Sequence, residues 1–225
     1  MAARVNTVAF LGFQVLDVDV QVHISTGLPA FTVVGLPDKA VAESRERVRA
    51  ALNSMGLALP LKRIVVNLSP ADVVKEGSHF DLPIALGLLV AMGVLPGDEI
   101  AGYTALGELA LDGALSPVAG VLPAAIHASG REMGLVCPAA QGGEAAWAGE
   151  IEVLAPPTLL ALINHFKGIQ VLSPPEPRVV ADEADYPDMR DIKGQESAKR
   201  GIEIAAAGGH NVLMSFFIDR RPDMG

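Results

Sequence analysis

The chain has 225 residues, 26 acidic and 17 basic side chains for a net charge of −9, and a hydrophobic content of 50%. Its mean hydropathy is +0.37, which excludes a disordered polyelectrolyte, and its acidity argues against nucleic-acid binding driven by overall charge. Cys137 is the single cysteine, so no internal disulfide forms, and its apolar neighbours predict a buried thiol suited to a reducing, cytoplasmic setting.

The first clear element is "QVLDVDVQVHI". Leu16, Val18, Val20, Val22 and Ile24 alternate with Val15, Asp17, Asp19, Gln21 and His23. Period two over this length predicts a strand with one buried face. On the other face Asp17 and Asp19 read as solvent-facing carboxylates rather than an acid–base pair. The preceding "VNTVAFLG" is its expected hairpin partner. "GLPAFTVVGLP" predicts a further strand between two Gly-Leu-Pro breaks. Asp38 is placed to cap a helix running to about Asn53, with Val41, Val48, Ala51 and Leu52 as its apolar stripe. Arg45, Arg47 and Arg49 fall on its other faces. Two readings stand for them: a solvated face, or a patch for a partner or nucleic acid together with Lys62 and Arg63.

"RIVVNLSP" predicts a buried strand. The loop "ADVVKEGS" then leads into an apolar helix, "HFDLPIALGLLVAMG", with Ser78 or Asp81 available as its cap. The apolar run here is about 15 residues, short of the ~20 that span a bilayer. "ALGELALDGALSPV" predicts a hairpin turning at Asp112-Gly113. A helix follows ("AAIHASGREMG", with Gly130 near its end), then the short strands "LVCP" and "IEVLAP", and a helix "PTLLALINHF". Together these predict an α/β (α+β) domain over residues 1–172. Residues 173–188 are proline-rich and acidic, which predicts an extended linker. Beyond it, 189–214 predicts a loop, a helix from about Gln195 to Ala207 and a buried strand, "NVLM", opening a second domain.

Two constellations invite chemistry. A strand, a loop carrying Lys75, Glu76, Gly77 and Ser78, and a helix start form a place where backbone N–H groups hold an oxyanion. A serine there with a lysine base would make a hydrolase. The five histidines show no metal-ligand spacing, so no metal site is expected.

The loop and its surroundings resemble the Lon-protease-like domain of the ribosomal S5 domain 2-like superfamily. Proteolytic members carry Lys-Asp-Gly-Pro-Ser-Ala-Gly at this loop; here Lys75-Glu76-Gly77-Ser78-His79 puts His79 in the serine's place, with Ser78 one residue early. Their catalytic lysine closes a Pro-Ile-Gly-Gly-Leu-Lys pattern, where this chain has Leu122. No lysine lies between Lys75 and Lys167. The resemblance therefore implies a Lon-like scaffold with no catalytic residues.

A wider resemblance covers about residues 4–214. "VHISTGLPAFTVVGLPDKAVAESRERVRAAL", "NLSPADVVKEGSHFDLPIAL", "GELALDGALSPVAGVLP" and "DIKGQESAKRGIEIAAAGGHNVLM" stand in the order found in the ComM/YifB family of magnesium-chelatase-like AAA+ ATPases. The resemblance implies a Lon-like domain, a linker and an ATPase that uses ATP and Mg²⁺, acting as a hexameric DNA branch-migration motor in natural transformation and recombination. The chelatase label then reflects ATPase likeness, not porphyrin chemistry. In the family, Ile192, Gly194 and Gln195 match a segment on the adenine side of the nucleotide, and "GGHNVLM" leads into Gly-Pro-Pro-Gly-x-Gly-Lys-Ser/Thr. That loop's N–H groups and lysine hold the phosphates. Here residues 215–225 read "SFFIDRRPDMG". The expectation is a frameshifted or truncated reading frame with its motor absent; the other reading is a short protein with an unrelated tail. In the first case no cofactor binds this chain. In the second the domain is a free-standing interaction, regulatory or weakly DNA-contacting module.

Overall fold

The computed structural model describes residues 2–12, 14–177 and 188–215. The chain divides into two compact units, residues 1–179 and 180–225. In the first, β1 (Ala3–Leu11) and β2 (Gln14–Ser25) form the expected antiparallel hairpin, with Val5 opposite Val20 and Thr7 opposite Val18. β3 (Ala30–Val34) precedes α1 (Lys39–Ser54), and β4 (Arg63–Ser69) follows it. A 3₁₀ turn, Ser78–Phe80, runs directly into α2 (Asp81–Ala91). The rest comprises α3 (Gly97–Ile100), β5 (Tyr103–Ala105), the β6 (Glu108–Leu109) and β7 (Leu115–Ser116) hairpin, α4 (Val121–Ser129), β8 (Gly134–Val136), α5 (Gly142–Ala145), β9 (Val153–Leu154) and α6 (Leu159–Phe166).

Seven strands form one sheet in the order β3-β4-β2-β1-β5-β8-β9. Only β2 runs against its two neighbours; the other four pairings are parallel. The mixed α/β class expected from the sequence is therefore the class observed. The alternation in β2 translates directly: Val18, Val20 and Val22 are buried, while Asp17 and Asp19 turn to separate partners. Asp17 meets His127 at 2.9 Å and Arg131, and Asp19 accepts from Gln21 at 2.7 Å.

One face of the sheet carries the larger core, built against α1 and α2. Asp38 caps α1 by accepting the Val41 N–H at 2.7 Å, and Val41, Val48, Ala51 and Leu52 are fully buried. In α2, nine of eleven residues are buried, which is why its sequence has no polar stripe. Gly87 lets this helix sit close on β2, since a Cβ there would lie 2.6 Å from Val22 Cγ2. On the other face a smaller core gathers Val8, Leu106, Val121, Leu135 and Cys137. Burial pushes the Cys137 thiol up to about 12, leaving it protonated and inert. The 112–113 turn is as expected, with Gly113 at φ +88° and Asp112 accepting from the Ala114 N–H.

Two local expectations are corrected. Neither Ser78 nor Asp81 caps the apolar helix: Ser78 donates its hydroxyl hydrogen to Glu108, and the Asp81 carboxylate is taken by Arg47. Arg47 itself is not a free surface cation. Its Nε and Nη2 reach Asp81 Oδ2 and Oδ1 at 2.6 and 2.9 Å, and Nη2 also donates to the Ala40 carbonyl. Asp81 is wholly buried, and a buried carboxylate has to be paired.

The second unit holds α7 (Glu196–Gly208), close to the expected helix. "NVLM" is not a strand. Val212, Leu213 and Met214 are 51, 97 and 60% exposed. A strand needs a neighbour for its N–H and C=O groups, and none exists among this unit's described residues. Residues 173–177 of the expected linker carry no regular structure, and 178–187 lie outside the described residues, as do 216–225 of the tail.

Removing one partner of the Arg47–Asp81 pair leaves a buried charge unmatched. Arg47→Met, which strands the buried Asp81, is expected to lower the unfolding free energy by about 3–5 kcal/mol, read by urea denaturation. The double change Arg47→Met with Asp81→Leu is expected to cost less than Arg47→Met alone. A single-variant loss under about 1 kcal/mol would contradict the assigned role.

Candidate functional site

The two loops matched to the Lon-like site meet in space. Glu76, Gly77, Ser78 and His79 from one, and Pro117, Val118 and Ala119 from the other, line a single cavity of about 500 Å³ with Phe10. Each side is fixed by the fold. Lys75 N donates to the Leu36 carbonyl at 3.1 Å, and Asp38 N donates to the Lys75 carbonyl at 2.9 Å, which anchors the first loop beside the start of α1. The second loop is clasped by Gln141, whose amide accepts from Val118 N at 2.8 Å and donates to Val118 O at 2.7 Å. Gly120, at φ +86°, carries the chain past Phe10, where a Cβ would come within 2.3 Å of the ring.

His79 occupies the nucleophile position. Its Nε2 lies 2.9 Å from the Val8 carbonyl. A carbonyl only accepts, so Nε2 carries the hydrogen and Nδ1 is the bare nitrogen of a neutral ring. The ring sits between Phe10 and Phe80, with centroids 5.6 and 4.2 Å away. Desolvation lowers its proton affinity, against smaller opposing effects from Val8, Asp81 and Asp38. Lys75 is wholly buried and its ammonium donates to the Pro70 carbonyl; desolvation pulls its pKa down, partly offset by Asp72. Ser78 donates to Glu108 and not to a lysine. Leu122 is half-buried in the first turn of α4.

The cations of the suspected patch are not brought together as one group. Arg45 and Arg49 are exposed and both pair with Glu46, at 3.2 and 3.9 Å. Arg49 and Lys62 line a second cavity of about 420 Å³ beside Phe31, Leu59 and Leu61. Arg63 is exposed at the start of β4, and Arg47 is committed to Asp81.

In the second unit, Ile192 and Gln195 line a cavity of about 520 Å³ with Lys199, Ile202 and Leu213. Gly194 and Gln195 take positive φ, +67° and +60°, and turn the chain into α7. This apolar cavity has room for a purine base. Among the described residues no group of three or more His, Cys, Asp or Glu side chains could hold a metal ion, and no helix is long and apolar enough to cross a membrane.

Sequence reasoning missed Phe10, Glu108 and Gln141. All three act through contacts distant in sequence, and nothing local marks them.

Residues 20–141 match the family model described as subunit ChlI of Mg-chelatase, and residues 188–216 match that of magnesium chelatase, subunit ChlI. The chain is 42% identical over 212 residues to the uncharacterized protein YifB of Escherichia coli K12, covering 93% of this chain and 42% of the relative. It is 40% identical over 217 residues to the competence protein ComM of Haemophilus influenzae, covering 94% and 42%. An uncharacterized protein of Mycobacterium tuberculosis H37Rv is 36% identical over 213 residues, again 94% and 42%. The chain thus spans about two-fifths of the length of the curated relatives it matches.

Because His79 is held neutral while a histidine of the unfolded chain titrates near 6.5, the unfolded state binds more protons below that pH. Stability contributed by neutral His79 is complete above about 6.5 and falls as pH drops toward the lowered folded value. Urea unfolding of His79→Gln between pH 7 and pH 5 is expected to show a shallower loss than the parent chain. Parallel curves would contradict the assignment.

Proposed function

Since this chain belongs to the ComM/YifB family of magnesium-chelatase-like proteins, we propose that it is the N-terminal portion of an ATP-driven, hexameric DNA-remodelling machine. The intact machine would act in the cytoplasm, in branch migration during recombination and natural transformation. The name of the Haemophilus relative, a competence protein, supports this. In this reading residues 1–172 are a Lon-like, non-proteolytic platform and 189–214 are the opening of an AAA+ module.

The observation that carries the reading is the second unit. Its helix α7 and the following Val212-Leu213-Met214 present apolar side chains to solvent, as expected of an element whose sheet lies in further chain. In this reading the cavity beside Ile192 and Gln195 would take the base of a nucleotide. Phosphate contacts supply the charge-assisted part of nucleotide affinity. In this reading ATP and Mg²⁺ would act in the intact protein. The first unit's contribution is assembly, with a weak DNA contact through Arg49 and Lys62, which line one cavity.

Direct titration of the chain tests both halves. ATP with Mg²⁺ is expected to give no saturable binding in the micromolar range. Short duplex DNA is expected to bind weakly, with an affinity that falls as salt rises and falls further in Arg49→Glu with Lys62→Glu. A micromolar ATP affinity would overturn the reading of the second unit, and DNA binding unmoved by charge reversal would overturn the patch.

A further inference from the structure

The cavity between the 76–79 and 117–119 loops is a built site whose chemistry is not spent on the fold. His79 is 6% exposed and lines it. With the Nε2 hydrogen given to Val8, Nδ1 is an acceptor, and among the described residues nothing donates to it. Nδ1 is not among the buried polar atoms that lack a partner, so it is open to solvent at the cavity. The Ser78 hydroxyl hydrogen points to Glu108, so Ser78 too offers only lone pairs to the cavity. Glu76 lines the cavity, exposed and without an ion-pair or hydrogen-bond partner among the described residues.

The charge balance has one sign. Arg47 is taken by Asp81, and the Lys75 ammonium is buried against Pro70. Glu76 is left without a cation among the described residues, while Glu108 accepts from Ser78 and interacts with Arg47. Even the Gly77 N–H, the first donor at the turn, is turned toward Asp38 Oδ2 at 3.4 Å. An anion is repelled here and a cation is drawn in. Phe10, Pro117, Val118 and Ala119 complete the lining with apolar surface. That suits an aliphatic stem, and the Phe10 ring offers a face to a cation.

We propose that this cavity is a receptor for the arginine side chain of a protein partner. The guanidinium is planar, permanently charged and rich in donors, so it satisfies several fixed acceptors at once. The inference stands on the cavity alone and does not rest on the DNA-remodelling reading.

The test is an NMR titration of the 225-residue chain, reading the imidazole nitrogens of His79 and the amides of Ser78 and Ala119. N-acetyl-arginine amide is the probe, with its neutral isostere N-acetyl-citrulline amide and the free polyamine spermidine as the other arms. The expected result is saturable shifts with arginine and binding about tenfold weaker with citrulline, the scale of one charge-assisted hydrogen bond. Glu76→Gln is expected to weaken arginine severalfold and leave citrulline unmoved. Glu76 is exposed and makes no contact the fold needs, so this variant decides the matter even where Glu108→Gln fails to fold. Equal binding of arginine and citrulline, or no shift at all, would overturn the proposal. Tighter binding of spermidine would assign the cavity to a free polyamine and overturn the protein-side-chain assignment.

Discussion

The Arg47–Asp81 pair is the constraint on which the first unit turns. Asp81 opens an otherwise apolar helix and is completely buried. It is tolerated there because two guanidinium nitrogens and the Leu109 N–H, the last at 3.1 Å, fill its oxygens. One carboxylate thereby fixes three elements: α1 through Arg47, α2 through its own backbone, and the β6 hairpin through Leu109. Such pairs add geometric definition more dependably than net stability. The rotation of α1 that sends Arg47 inward also turns Arg45 and Arg49 outward. The residues between the fixed points, Ser78 to Phe80, inherit their positions from it. His79 is thus delivered to Val8, and Ser78 to Glu108.

The same contacts explain how the 76–79 and 117–119 loops come to line one cavity. The Ser78 hydroxyl faces a carboxylate, and Lys75 has its ammonium closed in under Pro70. The loop geometry persists because Gln141, Gly120 and the Leu36–Lys75 contacts hold it, and none of these depends on catalysis. The second unit differs in kind. Its helix ends in an orderly way, with Gly209 at φ +63° and the His210 N–H returned to Ala205 O at 2.8 Å. Val212, Leu213 and Met214 beyond that point remain largely exposed.

Much of the fold is written in local pattern. Alternation in β2, the Asp38 cap and the unbroken apolar run of α2 each follow from a short window of sequence, and each is found where expected. What local pattern does not carry is pairing between distant residues. Arg47 sits among Arg45 and Arg49 on a helix whose polar positions look alike, and only Asp81, 34 residues on, sets it apart. "NVLM" has the composition of a buried strand, yet strand formation depends on a neighbour that composition cannot supply. The two loops of the cavity were legible through family resemblance. Glu108, which holds Ser78, and Phe10 of the lining were not, because they come from β6 and β1 and meet the loops only once the sheet has formed.

The central claim is that residues 1–177 make a self-sufficient fold while 188–215 are held only locally. Amide hydrogen exchange on the intact chain tests it most directly, since protection reports the free energy of each opening. The account predicts that amides of β1, β2, β4 and α2 exchange only through global unfolding, while those of α7 and Val212–Met214 exchange orders of magnitude faster. Protection of 196–214 equal to that of α2 would contradict it, and would mean that the second unit is a finished fold with its own stability.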